Sequence, residues 1–362
     1  MKGHSSTNKI TYSQVGDDYS TKDPIKKLAQ IQAAQTGKNL KDGFEEITET
    51  RGESAYVWKQ GDVYMASVIE GLGTKNLIAD LIRNEDKTYY DIIGHDTVAT
   101  IINDLISVGA KPLSLHAYWA IENNDWLQDE KRMSDLIKGW TDACNLAGAS
   151  WGGGETPTLK GIITPGTVDL GGSAVGIISS QDRLITSKKL TAGDRILLLK
   201  SNGLNANGLS LARAVLETLD NKSEFGEIVL TKSNIYAKLI QDLLDAEIDI
   251  HYISNITGHG LRKIMRANKD FIYVIEKLFE PQEVFKIIQK ESGLDEKEMY
   301  GTYNMGQDYA IFVPSSDAAK AQEIISQNGF ESLDAGYIED GPRQVIIKPK
   351  NITFDGSSLD LR

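Results

Sequence analysis

The sequence predicts a two-domain chain of mixed α/β (α+β) class, and three observations carry that reading. Its 362 residues suffice for two domains with cores of their own. Segments of strand and helix character alternate in both halves, without the fixed period of a repeat array. Near Ser187–Asp194 the character changes, and a turn at Gly193 precedes a new apolar run. The boundary is placed at 180–190. The resulting divisions are a polar arm (1–24), a first domain (25–185), a second (186–350) and a polar tail (351–362).

Residues 1–24 are polar and turn-rich, with Gly16, Asp17 and Asp18 mid-way; they read as an arm, mobile or ordered by a ligand or partner. Pro24 opens a helix over Ile25–Gln35. Val63–Ile69 is a strand running into Glu70. Over Asp91–Val108, Val98, Ile101, Ile102, Leu105 and Ile106 form one helical stripe, which Gly109 ends. Leu113–Ala120 is β-like, and Asp129–Leu146 is helical. Trp151–Pro157 is a loop, and Leu170–Ile178 is a strand interrupted by Gly171 and Gly172. In the second half, strands fall at Arg195–Lys200, Phe271–Ile275, Tyr309–Val313 and Val345–Lys348. Helices fall at Leu209–Leu219, Leu261–Arg266 and Gln282–Glu291.

Apolar and charged contents are ordinary for a globular protein, so long disorder is not expected. The net charge of −12 argues against a nucleic-acid partner but leaves room for a local basic pocket. The lone Cys144 forms no intrachain disulfide and reads as a small buried residue on a helix. No run is long and apolar enough for a membrane span, and the polar start lacks a signal-peptide pattern. The expectation is a cytoplasmic protein without a membrane partner.

Three clusters carry chemistry. In Gly71-Leu72-Gly73-Thr74-Lys75, two glycines let the backbone approach a phosphate, Thr74 offers a hydroxyl and Lys75 a charge. The other reading is a strand-end turn with a surface lysine. Asp96 and Asn103, seven apart, share a helix face, and Asp104 adds a carboxylate. Mg²⁺ takes oxygen ligands of this kind, although a polar face on an amphipathic helix is also ordinary. Gly152-Gly153-Gly154 delivers Glu155 as a metal ligand or base, or is simply a flexible loop. Together the clusters point to a nucleotide triphosphate with Mg²⁺. Asn205 and Asn207, and Thr257-Gly258-His259, precede helices and offer either anion binding or capping. His259 reads as acid/base, phosphate contact or structural group, His95 is open, and His116 reads as structural.

In this order the segments resemble the aminoimidazole ribonucleotide synthetase (phosphoribosylformylglycinamidine cyclo-ligase) family, from about Tyr12 to Val313. Glu70–Lys75 stands for its Asp-Gly-Val-Gly-Thr-Lys. Asp96 with Asn103-Asp104-Leu105 stands for its Asp…Asn-Asp-Leu helix, and Gly153–Thr156 for its Gly-Gly-Glu-Thr. Ile256–Gly260 stands for Ile-Thr-Gly-Gly-Gly, and Tyr303–Gly306 for Phe-Asn-x-Gly. The resemblance implies a two-domain homodimer whose N-terminal domains pair into a β-barrel, with a mixed sheet and helices in the C-terminal domain. It implies ATP and Mg²⁺ as cofactors, a phosphorylated ribonucleotide as substrate, and ring closure of formylglycinamidine ribonucleotide. By the same resemblance Lys75, Asp96 and Glu155 are catalytic. Gly71, Gly73, Thr74, Lys75, Asn103, Gly153 and Gly154 hold the nucleotide. Glu70, Asp96, Asp104 and Glu155 hold the metal, and Asn205, Asn207, Thr257, Gly258 and His259 face the substrate.

Four departures bear on the substrate more than on the nucleotide. Glu70 replaces an Asp, and a glycine-rich stretch before its strand is missing. Asn205-Ala206-Asn207-Gly208 replaces His-Ser-Asn-Gly, and His259 replaces a glycine. The rival readings are a paralogue activating another small metabolite with ATP and a non-catalytic nucleotide-binding subunit.

Overall fold

The computed structural model describes residues 19–359. Most of the predicted arm, residues 1–18, lies outside them. The first half holds helix α1 (Tyr19–Ala34), strands β1 (Phe44–Glu46), β2 (Tyr56–Gln60) and β3 (Val63–Gly71), and helices α2 (Lys75–Ile82) and α3 (Tyr90–Ile106). Strand β4 (Lys111–Ile121), helix α4 (Glu130–Ala147) and strands β5 (Ser150–Glu155) and β6 (Val168–Ile178) complete it. The second half runs β7 (Arg195–Lys200), α5 (Leu209–Thr218), α6 (Lys222–Val229), α7 (Ala237–Asp245), β8 (Tyr252–Asn255) and β9 (Phe271–Ile275). It continues with α8 (Glu283–Ser292), α9 (Glu296–Thr302), β10 (Gln307–Val313), α10 (Ala318–Gln327), β11 (Ser332–Asp340), β12 (Gln344–Ile347) and β13 (Ile352–Asp355). Among the described residues no helix is long and apolar enough to cross a membrane.

Among the described residues two mixed sheets result. The first has six strands in the order β1-β2-β3-β6-β4-β5, and the second has seven in the order β13-β12-β9-β11-β7-β10-β8. All neighbours are antiparallel except β4 with β5 and β12 with β9. Strand β7 is a continuous apolar run because it lies inside its sheet, between β11 and β10. In the first sheet β6 alternates buried and partly exposed residues, so among the described residues only one face is covered. Helix α3 covers that face, with Ile93, Val98, Ile101, Ile102, Leu105 and Ile106 fully buried.

Helices α3 and α4 cross at Gly94 and Gly139. A Cβ at Gly139 would stand 2.0 Å from the Asp91 carbonyl oxygen, and one at Gly94 would stand 2.4 Å from that of Leu136. This close crossing fixes α3, which carries Asp96, Asn103 and Asp104.

Several sequence expectations change. Pro24 lies inside α1 rather than opening it, so residues 19–24, read as arm, are helical. The loop at 151–157 begins as strand β5, whose glycines serve a bulge against β4: Gly153 has φ +109°, and a Cβ at Gly154 would stand 2.2 Å from the Ala117 oxygen. Residues 260–265 form a 3₁₀ turn rather than an α-helix. The polar tail pairs with β12 as β13, burying Ile352 and Phe354.

Candidate active site

A cavity of about 290 Å³ opens between the two halves. Glu70 and Gly71 reach it from the end of β3, and Thr100 and Asp104 from α3. The Gly52–Ser54 segment, Asn207, Thr257, Gly258, His259, Lys263 and Arg266 add further walls, with Lys26 and Gln30 from α1.

Glu70 and Asp104 are thus brought together. Burial pushes the Glu70 carboxyl up to about 7, and the neighbouring Asp104 charge adds to the rise. Asn255 Nδ2 donates to Asp104 Oδ1 at 2.7 Å, fixing its orientation. Around the turn after β3, the Thr74 hydroxyl is buried without a hydrogen-bond partner among the described residues. Gly73 has φ +75° and open space where a Cβ would stand.

Lys75 and Asp96 are placed otherwise. Both side chains are fully buried, and they form an ion pair. The lysine also donates to the Thr231 carbonyl oxygen at 2.9 Å, and Asp96 Oδ1 accepts from the Ser233 N–H at 2.8 Å. His95 Nε2 lies 2.8 Å from the Ser233 carbonyl oxygen. Asn103 donates to the Asn234 oxygen at 2.8 Å and accepts from the Tyr236 N–H at 3.1 Å. The shared face of Asp96 and Asn103 therefore grips an extended segment of the second half, and Lys75 neutralises the carboxylate there instead of facing the cavity.

Glu155 does not join Glu70 within one chain. Glu70 pairs with Gly172, Gly172 with Ala117, and Ala117 with Gly154, so three strand spacings, about 14 Å, separate β3 from β5. Glu155 pairs with Tyr118 on the uncovered face, whereas Glu70 faces α3. Gly153, Gly154 and Glu155 are exposed on a sheet edge. Among the described residues no group of three or more His, Cys, Asp or Glu side chains could enclose a metal. Of the four predicted carboxylates, Glu70 and Asp104 line the cavity, while Asp96 pairs with Lys75 and Glu155 lies on the sheet edge.

Of the substrate candidates, Asn207, Thr257, Gly258 and His259 line the cavity. Asn205 is turned away: with φ +57° its Nδ2 donates to Asp308 Oδ1 at 2.5 Å. Tyr236 donates to Asp308 Oδ2 at 2.6 Å, and burial pushes this carboxyl up to about 6. His259 lies 3.2 Å from an Asp23 carboxylate oxygen. Burial, with Lys263 and Arg262 nearby, pulls its imidazole down to about 3, so it is neutral at physiological pH.

Sequence reasoning missed Lys26, Glu53, Lys263 and Arg266. The available signal was a pair of cations, Lys263 and Arg266, set among Leu261, Ile264 and Met265, directly after the Thr257–Gly260 turn.

Residues 52–178 match the AIR synthase related protein, N-terminal domain, and residues 191–348 its C-terminal domain. A phosphoribosylformylglycinamidine cyclo-ligase of Methanobrevibacter smithii is 31% identical over 362 residues, covering 97% of this chain and 99% of the relative. That of Methanothermobacter thermautotrophicus is 31% identical over 328 residues, covering 87% and 91%. Among solved structures, a HypE–HypF complex is similar with a TM-score of 0.59 at 21% identity, covering 84% of this chain and 92% of that one. AaThiL complexed with AMPPCP and TMP gives 0.60 at 13%, covering 95% and 96%. At these identities the structural likeness shows the fold.

Proposed function

Because the chain belongs to the AIR synthase related protein family, we propose that it is an ATP-dependent cyclo-ligase converting formylglycinamidine ribonucleotide to aminoimidazole ribonucleotide in purine biosynthesis. The observation that carries this is its end-to-end likeness to cyclo-ligases. In the reaction, the γ-phosphoryl group of ATP passes to the formyl oxygen. The amidine nitrogen then attacks the activated carbon, and ring closure expels phosphate, leaving ADP.

The chain's part is positioning and charge neutralisation. Glu70 and Asp104 fit Mg²⁺, which commonly takes one or two carboxylates plus substrate phosphates. The ion would neutralise phosphate charge there. The Thr74 hydroxyl, unpartnered among the described residues, and the open backbone at Gly73 suit the nucleotide phosphates. Lys75, Asp96 and Asn103 serve by holding the two halves together. Asn207, Thr257 and Gly258 face the ribonucleotide, and neutral His259 offers it a hydrogen bond without charge.

A homodimer is part of the reading. The uncovered face of the first sheet carries Tyr56, Trp58, Met65, Ile69, Leu113, Tyr118, Val175 and Ile177, with Ile69 78% exposed. A second copy of this chain would cover it, and Glu155 lies at that boundary.

The test is ADP release from Mg-ATP with and without formylglycinamidine ribonucleotide. Stimulation with aminoimidazole ribonucleotide formed is expected. ATP binding without stimulation would refute the cyclo-ligase reading.

A further inference from the structure

Lys263 differs from every other cation on the cavity wall. Arg266 donates to the Gly52 oxygen at 3.0 Å and lies 3.6 Å from Glu53, and Lys26 lines the cavity from α1 but is exposed to solvent. Lys263 is only 8% exposed, yet among the described residues its ammonium has no hydrogen bond and no carboxylate within 4.0 Å. The side chain lines the cavity, where a ligand can reach its ammonium. Its base is rigid: Ser254 Oγ donates to the Lys263 carbonyl oxygen at 2.5 Å, and Leu261, Ile264 and Met265 beside it are fully buried. The side chain therefore enters the cavity from an immobile turn. Burial, with Arg266 nearby, pulls its ammonium down to about 7, against the Asp104 and Glu70 charges, which pull the other way.

We propose that Lys263 receives the phosphate monoester of the second substrate. The inference rests on the cyclo-ligase reading for the identity of that substrate. The triphosphate of ATP meets its counter-charge at the Glu70–Asp104 pair through a divalent cation. A sugar phosphate brings no cation of its own, and a protein cation can supply the counter-charge. Lys263 is the free one, and Lys26 and Arg266 on the same cavity wall add the second positive charge that a dianion calls for.

The test is calorimetric titration of full-length wild type and Lys263→Met with ribose 5-phosphate, ribose and ATP with Mg²⁺. Wild type is expected to bind ribose 5-phosphate and not ribose. Lys263→Met should weaken ribose 5-phosphate by about ten- to a hundredfold, the range of one charge-assisted hydrogen bond, and leave ATP within twofold. Its melting temperature should stay close to that of wild type, because among the described residues the ammonium bonds no protein group; a bracing lysine would lower it. Three results overturn the proposal: no ribose 5-phosphate binding by wild type, undiminished binding by the variant, or parallel loss of ATP. None of these readouts needs turnover. If they hold while formylglycinamidine ribonucleotide fails to stimulate ADP release, the reaction assignment falls and the phosphate site stands.

Discussion

Replacing Asp308 by Asn should change how stability depends on pH. Asp308 is 2% exposed, and its oxygens accept from Tyr236 and Asn205. Burial pushes its carboxyl from the ordinary 3.8 up to about 6, against the hydrogen bonds from Tyr236 and Asn205, which pull the other way. The folded chain thus holds this proton more tightly than the unfolded one, so ionisation favours unfolding. Its contribution is complete below about pH 4 and is lost as pH rises through 6. About two pKa units at 1.36 kcal/mol each make roughly 3 kcal/mol. The neutral amide of Asp308→Asn carries no such term. Hydrogen bonding can be kept, because the Asn205 Oδ1 is buried without a partner and a flip of that amide offers it to the new NH₂. Relative to wild type, the variant should therefore gain about 3 kcal/mol between pH 4 and pH 7, or roughly 6–12 °C for a domain of this size. Paired melting curves across that range measure it, and titration of all other groups cancels in the difference. Curves that run parallel from pH 4 to pH 7 would refute the reasoning.

Three further outcomes are expected. Glu70→Gln and Asp104→Asn should each cut Mg-ATP turnover at least a hundredfold while leaving the melting temperature unchanged or higher, as steady-state assays and thermal scans will show; unchanged turnover sinks the metal assignment. Lys75→Met leaves Asp96 buried without its counter-ion and should cost about 3–5 kcal/mol, most of it recovered when Asp96→Leu is added; equal stability of the single variant and wild type in denaturant titrations would contradict the ion-pair account. Ile69→Glu places a charge on the uncovered sheet face and should give monomers in light scattering, whereas an unchanged mass would rule that face out as the subunit boundary.

What the sequence made legible follows the physics of each segment. The stripe of α3 and the run of β7 were readable because burial imposes a period or a continuous apolar stretch. Strand β13 was not: its two buried residues, Ile352 and Phe354, alternate with polar ones and depend on β12 for a partner. The triple glycine was read as a bendable loop because glycine reports only that a Cβ does not fit. Whether a bulge or a ligand excludes it depends on Ala117, a residue 37 positions earlier. The pairing of Asp96 and Asn103 on one face was legible from their spacing. What they grip was not, because the segment 231–236 comes from the other half and has no local pattern.

That grip bears on the cavity itself. Asp104 follows Asn103 by one residue, about 100° round α3, so the same flank of the helix holds the second half and lines the cavity. Lys263, Thr257 and Asn207 reach the cavity from the half that is held. The separation between the carboxylates of one half and the cation of the other therefore depends on contacts that touch no ligand. Asn103→Ala isolates this dependence. It leaves the Asn234 carbonyl and the Tyr236 N–H without partners, at a cost of about 1–3 kcal/mol for each buried group. If the seam sets the cavity, affinities for both Mg-ATP and ribose 5-phosphate should fall together, measured calorimetrically at a temperature where the variant is fully folded. A lower melting temperature with both affinities intact would mean that each wall holds its shape alone, and the seam would then serve stability only.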